Sequence, residues 1–137
     1  MEELVPINFH KIMQSRSYTV IILGTEKKKF AIYTEASVGR NIQTYLTPEN
    51  HIRPLTHHLI NNILSGLEAK IIQIVINDIE DTIYFSRIYI EQKMGDKTVI
   101  LEIDARPSDC ITLALINDAP VFCRREVFDK VLPIQDN

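Results

Sequence analysis

The amino-acid sequence predicts an α+β fold: an antiparallel or mixed β-sheet with three to four packed helices, in one domain over residues 1–137. Three observations predict it. Runs of β-forming residues are joined by short turns, segments with helical period lie between them, and no Gly/Ser-rich linker or low-complexity tract marks a domain boundary. The 45% hydrophobic content is enough for a core that needs neither metals nor disulfides.

The predicted elements begin with a hairpin. Residues 18–23 and 30–33 are two β-like runs, separated by a segment that starts at Gly24 and ends in the Lys27-Lys28-Lys29 triplet. The triplet is the one cluster of like charge in the chain. A solvated hairpin tip explains it better than a nucleic-acid patch does.

Two amphipathic helices follow. From Thr34, which is placed to cap, apolar residues such as Val38 and Ile42 recur with helical period. After a loop containing Pro48, a second helix opens with Pro54 and ends at Gly66.

The next three runs predict antiparallel strands. They span residues 70–77, 82–92 and 98–104, and their connecting turns are too short for parallel pairing. In the third strand Val99, Leu101 and Ile103 alternate with polar residues, which predicts one buried face. A helix over 107–117, a strand over 120–123 and a last turn or helix over 124–131 complete the prediction.

Composition and charge restrict the function. Cys110 and Cys123 lie in apolar runs rather than at metal-ligand spacing, which predicts buried, reduced thiols. No window is apolar enough to span a membrane and the N-terminus is acidic, so we expect a cytoplasmic protein without membrane contact. The net charge of −3 argues against a broad basic surface for nucleic acid, so any phosphate site must be local.

The Arg-Pro pair occurs twice, as Arg53-Pro54 and Arg106-Pro107, and each pair precedes a predicted helix. The free N–H groups of a helix start favour an anion, and an arginine just ahead adds a planar fork that matches phosphate. Two such corners, if they converge, can hold neighbouring phosphates of a nucleic acid.

A structural explanation of the same residues stays open. Arginines ahead of helices often pair with nearby carboxylates, and Asp109 and Ser108 are equally well placed to interact with the helix start. His57 lies at the border of its helix's apolar stripe, and such a histidine can be structural, whereas His58 points away from the stripe. No His/Cys cluster has zinc spacing.

Three carboxylates, Glu35, Asp104 and Asp109, stand at junctions between elements, where side chains project into clefts. Oxygen ligands of this kind suit Mg²⁺ or Mn²⁺, which can activate water and neutralise phosphate charge. We expect Asp104 and Asp109 to be the ligands if an ion is bound, and no organic cofactor.

Three segments resemble one family. They are Arg53-Pro54-Leu55-Thr56-His57, Ile76-Asn77-Asp78-Ile79, and Ile103-Asp104-Ala105-Arg106-Pro107-Ser108-Asp109. In this order they resemble the bifunctional nuclease domain, over about residues 30–131. The resemblance implies a small α+β domain, often a homodimer, in a family named for members that cut both RNA and DNA. The chain departs from the family pattern at His58, where the family usually has aspartate, and at Tyr33-Thr34, which replaces Ile-Gly.

Two functions therefore remain as hypotheses. The first is a nuclease that hydrolyses phosphodiester bonds of RNA or DNA, with the predicted catalytic residues Glu35, His57, Asp104 and Asp109. Its predicted substrate-binding residues are Arg53, Thr56, Arg106 and Ser108. The second is a binding or regulatory module that keeps the anion pocket and cuts nothing, which the low basic charge and His58 favour.

Overall fold

The computed structural model describes residues 3–47 and 53–134. Within these ranges the chain forms seven strands and four helices. In chain order they are β1 (Leu4–Gln14), β2 (Tyr18–Gly24), β3 (Lys29–Glu35), α1 (Ala36–Leu46), α2 (Thr56–Gly66), β4 (Ala69–Glu80), β5 (Ile83–Met94), β6 (Lys97–Ala105), α3 (Pro107–Asn117), β7 (Val121–Arg124) and α4 (Arg125–Lys130).

The strands form one sheet in the order β3-β2-β1-β7-β4-β5-β6. All neighbours are antiparallel except β4 and β7, which run parallel because the chain crosses over through β5, β6 and α3. The predicted α+β class with a mixed sheet is confirmed. Strand β1 was not predicted, yet it lies near the middle of the sheet and pairs with both β2 and β7.

Two clusters of buried side chains make up the core. The larger one packs β1, β2 and β3 against α1 and α4, and the smaller one packs β4 and β5 against α2 and α3. Helix α3 joins the clusters, since Ile111 is buried in the larger one and Leu113 in the smaller one. It is mostly apolar and buried along its first two turns, and this burial fixes the position of its N-terminus.

The predicted hairpins are confirmed, including the turns near Asp81 and Gly95, which both have positive φ. The triplet at the first hairpin is less solvated than predicted. Lys28 folds back, donates a hydrogen bond to the carbonyl of Phe128 and places its Nζ 5.0 Å from that ring's centroid. The two cysteines are buried and free, as predicted.

Both helix starts differ from the prediction. Helix α1 begins at Ala36 with Glu35 as N-cap, so Thr34 belongs to β3 and does not cap. Helix α2 begins at Thr56 with Leu55 as N-cap, so Pro54 precedes the helix rather than opening it. The predicted loop around Pro48 lies outside the described residues.

The prediction that one face of β6 is buried is wrong for the single chain. Leu101 is 40% and Ile103 45% exposed, because β6 is the last strand of the sheet and little covers its outer part. In α2, Leu59 and Ile63 are also more than half exposed. The chain therefore presents an apolar surface formed by β6 and α2.

Candidate functional site at the start of helix α3

A pocket of about 110 Å³ opens at the N-terminus of α3, where α1, α2 and α3 meet. Its lining comes from the N-cap and first turns of α1, from the start of α2 and from the first turns of α3. The lining residues are Glu35, Ser37, Val38, Asn41, His57, Arg106, Ser108, Asp109 and Thr112.

Local sequence explains why α3 starts here. Arg106 is the extended N-cap residue and Pro107 occupies the first turn, where its missing N–H is no loss. Asp109 follows in the same turn, where a carboxylate interacts favourably with the helix dipole. The side chain of the N-cap residue Arg106 makes no capping hydrogen bond.

Both oxygens of the Asp109 carboxylate are engaged. Oδ1 lies 3.0 Å from Nε2 of His57, and Oδ2 accepts a hydrogen bond of 3.0 Å from Nε of Arg106. The Asp109 side chain remains 32% exposed, whereas that of His57 is only 13% exposed. The carboxylate is thus held from two sides while it still faces the pocket.

The other side of the His57 ring is held by Tyr45. The Tyr45 hydroxyl lies 2.9 Å from Nδ1 and accepts a second hydrogen bond, also 2.9 Å, from the His57 backbone N–H. An ionised Asp109 carboxylate can only accept, which assigns the ring proton of neutral His57 to Nε2; Nδ1 is then the acceptor for the Tyr45 hydroxyl. His58 packs edge-on against the same tyrosine ring, 4.8 Å between centroids, so it does not simply point away from the stripe.

Arg106 is the cation of the pocket. Its side chain is 70% exposed, and its bond to Asp109 uses one of the five guanidinium N–H groups. The hydrogen bond that Arg106 donates to Asp109, and further the charges of Asp109 and Glu35, raise the pKa of Arg106 above its usual range. The pocket therefore contains one permanent positive charge beside two carboxylates.

The structure brings together five of the predicted site residues at this pocket, and a sixth lies beside it. Glu35, His57, Arg106, Ser108 and Asp109 line it. Thr56 lines an adjoining apolar pocket of about 390 Å³, which also reaches His57, Arg106 and Asp109.

Asp104 lies elsewhere. It pairs in register with Arg87 of β5. Side chains alternate along β6, and Ile103 and Ala105 lie on the face that packs against α2 and α3, so Asp104 lies on the opposite face. Asp104 and Asp109 therefore stand on opposite faces of the sheet and do not form the predicted pair of metal ligands.

Arg53 does not converge with Arg106 on the pocket. It is exposed at the point where the described chain resumes, and it does not line either pocket at the start of α3. Of the two arginines predicted to hold neighbouring phosphates, Arg106 lines this pocket and Arg53 does not.

The donor set does not fit a resident divalent ion. Within residues 3–47 and 53–134, no group of three or more His, Cys, Asp or Glu side chains is arranged to hold a metal. Asp109, the best placed carboxylate, already accepts from His57 and Arg106, and a hard cation needs several oxygen ligands.

Sequence reasoning missed Tyr45 as a site residue. It was read only as part of the helix that follows β3, and its partner His57 lies 12 residues further on, beyond a loop. A tyrosine at the last turn of one helix and a histidine at the first turn of the next are separated by a short connection, which is the one signal that could have linked them.

No helix among the described residues is long and apolar enough to cross a membrane.

Comparison with known proteins places the chain in a family. No curated protein matches the sequence significantly. The model of the bifunctional nuclease domain matches residues 20–134, a wider range than the residues 30–131 expected from the motifs. The chain therefore belongs to the bifunctional nuclease domain family, which carries a nuclease-like or nucleic-acid-related role at family level.

Proposed function

We propose that this chain hydrolyses phosphodiester bonds of RNA or DNA in the pocket at the start of α3, with Asp109 and His57 as an acid/base pair. The single observation that carries the proposal is the Asp109 carboxylate, held by His57 on one oxygen and by Arg106 on the other, at a helix N-terminus. A base fixed beside a phosphate-binding cation is the minimum that this hydrolysis needs.

The reaction follows from the placement of these groups. A water oxygen attacks phosphorus while the Asp109–His57 pair takes one water proton, on a lone pair of the Asp109 carboxylate that neither His57 nor Arg106 occupies. The P–O bond to the leaving oxygen breaks, and that oxygen departs with the proton that the pair returns. Proton and bond changes balance without another reactant.

Arg106 and the helix start hold the phosphate. The exposed guanidinium carries N–H groups beyond the one bonded to Asp109, and these match phosphate oxygens. Ser108 follows on the first turn and borders the same pocket, where the helix dipole favours an anion. Glu35, predicted as a catalytic residue, lines the same pocket, where its charge acts on Arg106.

No step here uses a metal ion, because the donor set at Asp109 does not fit one. A dependence on Mg²⁺ or Mn²⁺ can still arise, because the phosphate oxygens of the substrate can bring an ion into the pocket. Cleavage that persists in EDTA would show hydrolysis without a metal ion, and cleavage only with Mg²⁺ or Mn²⁺ would show that the substrate brings the ion.

The decisive assay incubates purified protein with single-stranded DNA, duplex DNA and RNA, each with Mg²⁺, with Mn²⁺ and with EDTA. We expect Asp109→Asn and His57→Gln to lower the cleavage rate about 100-fold or more, since they remove the acid/base pair. Arg106→Gln should mainly weaken substrate binding. Asp104→Asn is the matched control, because this carboxylate lies on the other face of the sheet.

Equal cleavage by the Asp109 and control variants would mean a contaminant or a different site. Absence of cleavage with every substrate and ion, together with Arg106-dependent binding of oligonucleotides, would establish the alternative, a non-catalytic binding module.

We also propose a homodimer formed through the apolar surface of β6 and α2. Its support is the exposure of Leu101 and Ile103 on an edge strand, beside Leu59 and Ile63 of α2. Light scattering coupled to size exclusion should give twice the chain mass, and Leu101→Glu should give the monomer. Ile100→Glu, on the opposite face of the same strand and 52% exposed, is the control. A monomeric unchanged chain would refute the proposal.

A further inference from the structure

A groove of about 610 Å³ lies against the other side of Arg106. Tyr33 and Thr34 of β3 form one wall, Ile83 and Tyr84 at the start of β5 form the other, and Arg106 and Ser108 close the end nearest the candidate site. We call it the tyrosine groove. Because Arg106 and Ser108 line both cavities, the groove borders the candidate site.

The groove contains apolar and aromatic surface that the core does not use. Tyr33 is 68% and Ile83 62% exposed. Large apolar side chains that stay exposed side by side, next to a functional pocket, indicate a ligand with an apolar face.

Tyr84, on the same wall of the groove as Ile83, is fixed and uncharged. Its ring stacks on the buried Phe30, 5.7 Å between centroids. Burial raises its pKa to about 12, so its hydroxyl stays protonated at neutral pH. A neutral aromatic wall does not repel a phosphate held at Arg106.

We propose that the tyrosine groove stacks an unpaired nucleobase whose phosphate is held by Arg106, so that the chain binds single-stranded nucleic acid. The inference rests on the proposed nucleic-acid function and names its substrate class. Aromatic side chains bind bases by stacking only when the bases are free of a duplex. The charge of the chain points the same way, since a net charge of −3 gives no broad basic surface for gripping a double helix.

The test measures fluorescence anisotropy of a labelled, cleavage-resistant phosphorothioate oligonucleotide in three forms: single-stranded, duplex and abasic. Tyr33→Ala should weaken single-strand binding about 10-fold, the usual effect of losing one stacking side chain. Tyr33→Phe should restore it, because the ring and not the hydroxyl stacks. Phe85→Ala is the control, since Phe85 is an aromatic residue of β5 that is 36% exposed and does not line the groove.

The abasic strand should bind weakly and equally to the unchanged chain and to Tyr33→Ala. The inference is overturned if Tyr33→Ala binds the single strand as tightly as the unchanged chain, if abasic or duplex probes bind as tightly as the single strand, or if no probe binds. Tyr33-dependent binding without cleavage would refute hydrolysis and keep the groove. Asp109-dependent cleavage with Tyr33-independent binding would refute the groove alone.

Discussion

At the scale of single residues, the Tyr45 hydroxyl makes two hydrogen bonds to one histidine. It donates to Nδ1 and accepts from the backbone N–H of His57, so it fixes both the ring and the start of α2. A side chain that orients an acid/base residue without touching the substrate is a positioning residue. Its removal should change the rate less than removal of Asp109 does.

For Tyr45→Phe we expect the cleavage rate to fall about 10-fold through misplacement of the ring. The loss of both hydrogen bonds should lower the free energy of unfolding by about 1 kcal/mol. The pH dependence of the rate should also shift, because Nδ1 loses its donor, whereas a merely structural role would leave that profile unchanged. Rates across pH and urea denaturation measure the two effects.

Tyr89→Phe is the control for this variant. It removes a hydroxyl that donates to Glu102 on the other face of the sheet. An unchanged pH profile in Tyr45→Phe would assign the tyrosine to folding alone.

The sequence carried enough information to find Asp109 but not to separate it from Asp104. The predicted position of Asp109 in the first helical turn is confirmed, since helix starts have local signatures. Alternation in β6 puts Asp104 and Ile103 on opposite faces, but which of these faces carries α3 depends on the packing of the helices, which no local pattern shows. The bonds from His57 to Tyr45 and Asp109 join three elements, so no local pattern contains them.

At the scale of elements, helix α1 lies unusually close to strand β2 at Gly39. The Gly39 N–H donates to Thr19 Oγ1, 3.1 Å away, and this hydroxyl donates in turn to the Ala36 carbonyl. A Cβ at Gly39 would lie 2.9 Å from Thr19 Oγ1 and 3.0 Å from Gln14 Oε1. The glycine therefore sets the distance between helix and sheet.

Gly39→Ala should lower the free energy of unfolding by about 1–3 kcal/mol through overpacking. It should also reduce cleavage, because α1 carries Tyr45 at its end and follows Glu35 at its start. Gly66→Ala is the matched helix glycine, where a Cβ meets nothing within 4 Å. It should be neutral or stabilise by about 0.5–1 kcal/mol. Thermal and urea unfolding of both variants measure the difference, and equal stability would refute close packing at Gly39.

The elements that the sequence predicted are those with strong local signals. Turns with positive φ, Pro107 at a helix start and helical periodicity all gave the correct element type. Strand β1 was missed because only Val5 and Ile7 show clear buried alternation before the pattern becomes irregular. The exposed face of β6 was misread because alternation shows which side chains share a face, not whether another layer covers it.

At the scale of the whole molecule, the core holds neutral groups that ionise only with difficulty. Burial raises the pKa of Cys110 to about 11 and that of Cys123 to about 12, and it acts in the same direction on Tyr84. Cys123 and Tyr84 belong to the larger core cluster and Cys110 to the smaller one, so both clusters contribute to the response of the folded chain to alkali.

We expect stability to fall as the pH rises above about 9, the ordinary pKa of a thiol. Below that pH the thiols are protonated in both the folded and the unfolded chain, and their full contribution to the free energy of unfolding is present. Between it and the raised folded pKa the unfolded thiols lose protons first, so stability falls by about 1.4 kcal/mol per group and pH unit. Urea denaturation from pH 7 to 10.5 measures this slope, and Cys110→Ala should make it shallower. A flat profile would contradict the burial of these thiols.

The position of β1 between β2 and β7 has a consequence for the folding rate. Leu4 pairs with Arg124, so this strand pairing closes a loop of more than a hundred residues. The β2–β3 hairpin and the β4–β5–β6 meander each close locally, and local contacts form fast. Joining the two halves of the sheet is therefore the step that should limit the rate at which the chain reaches its native state.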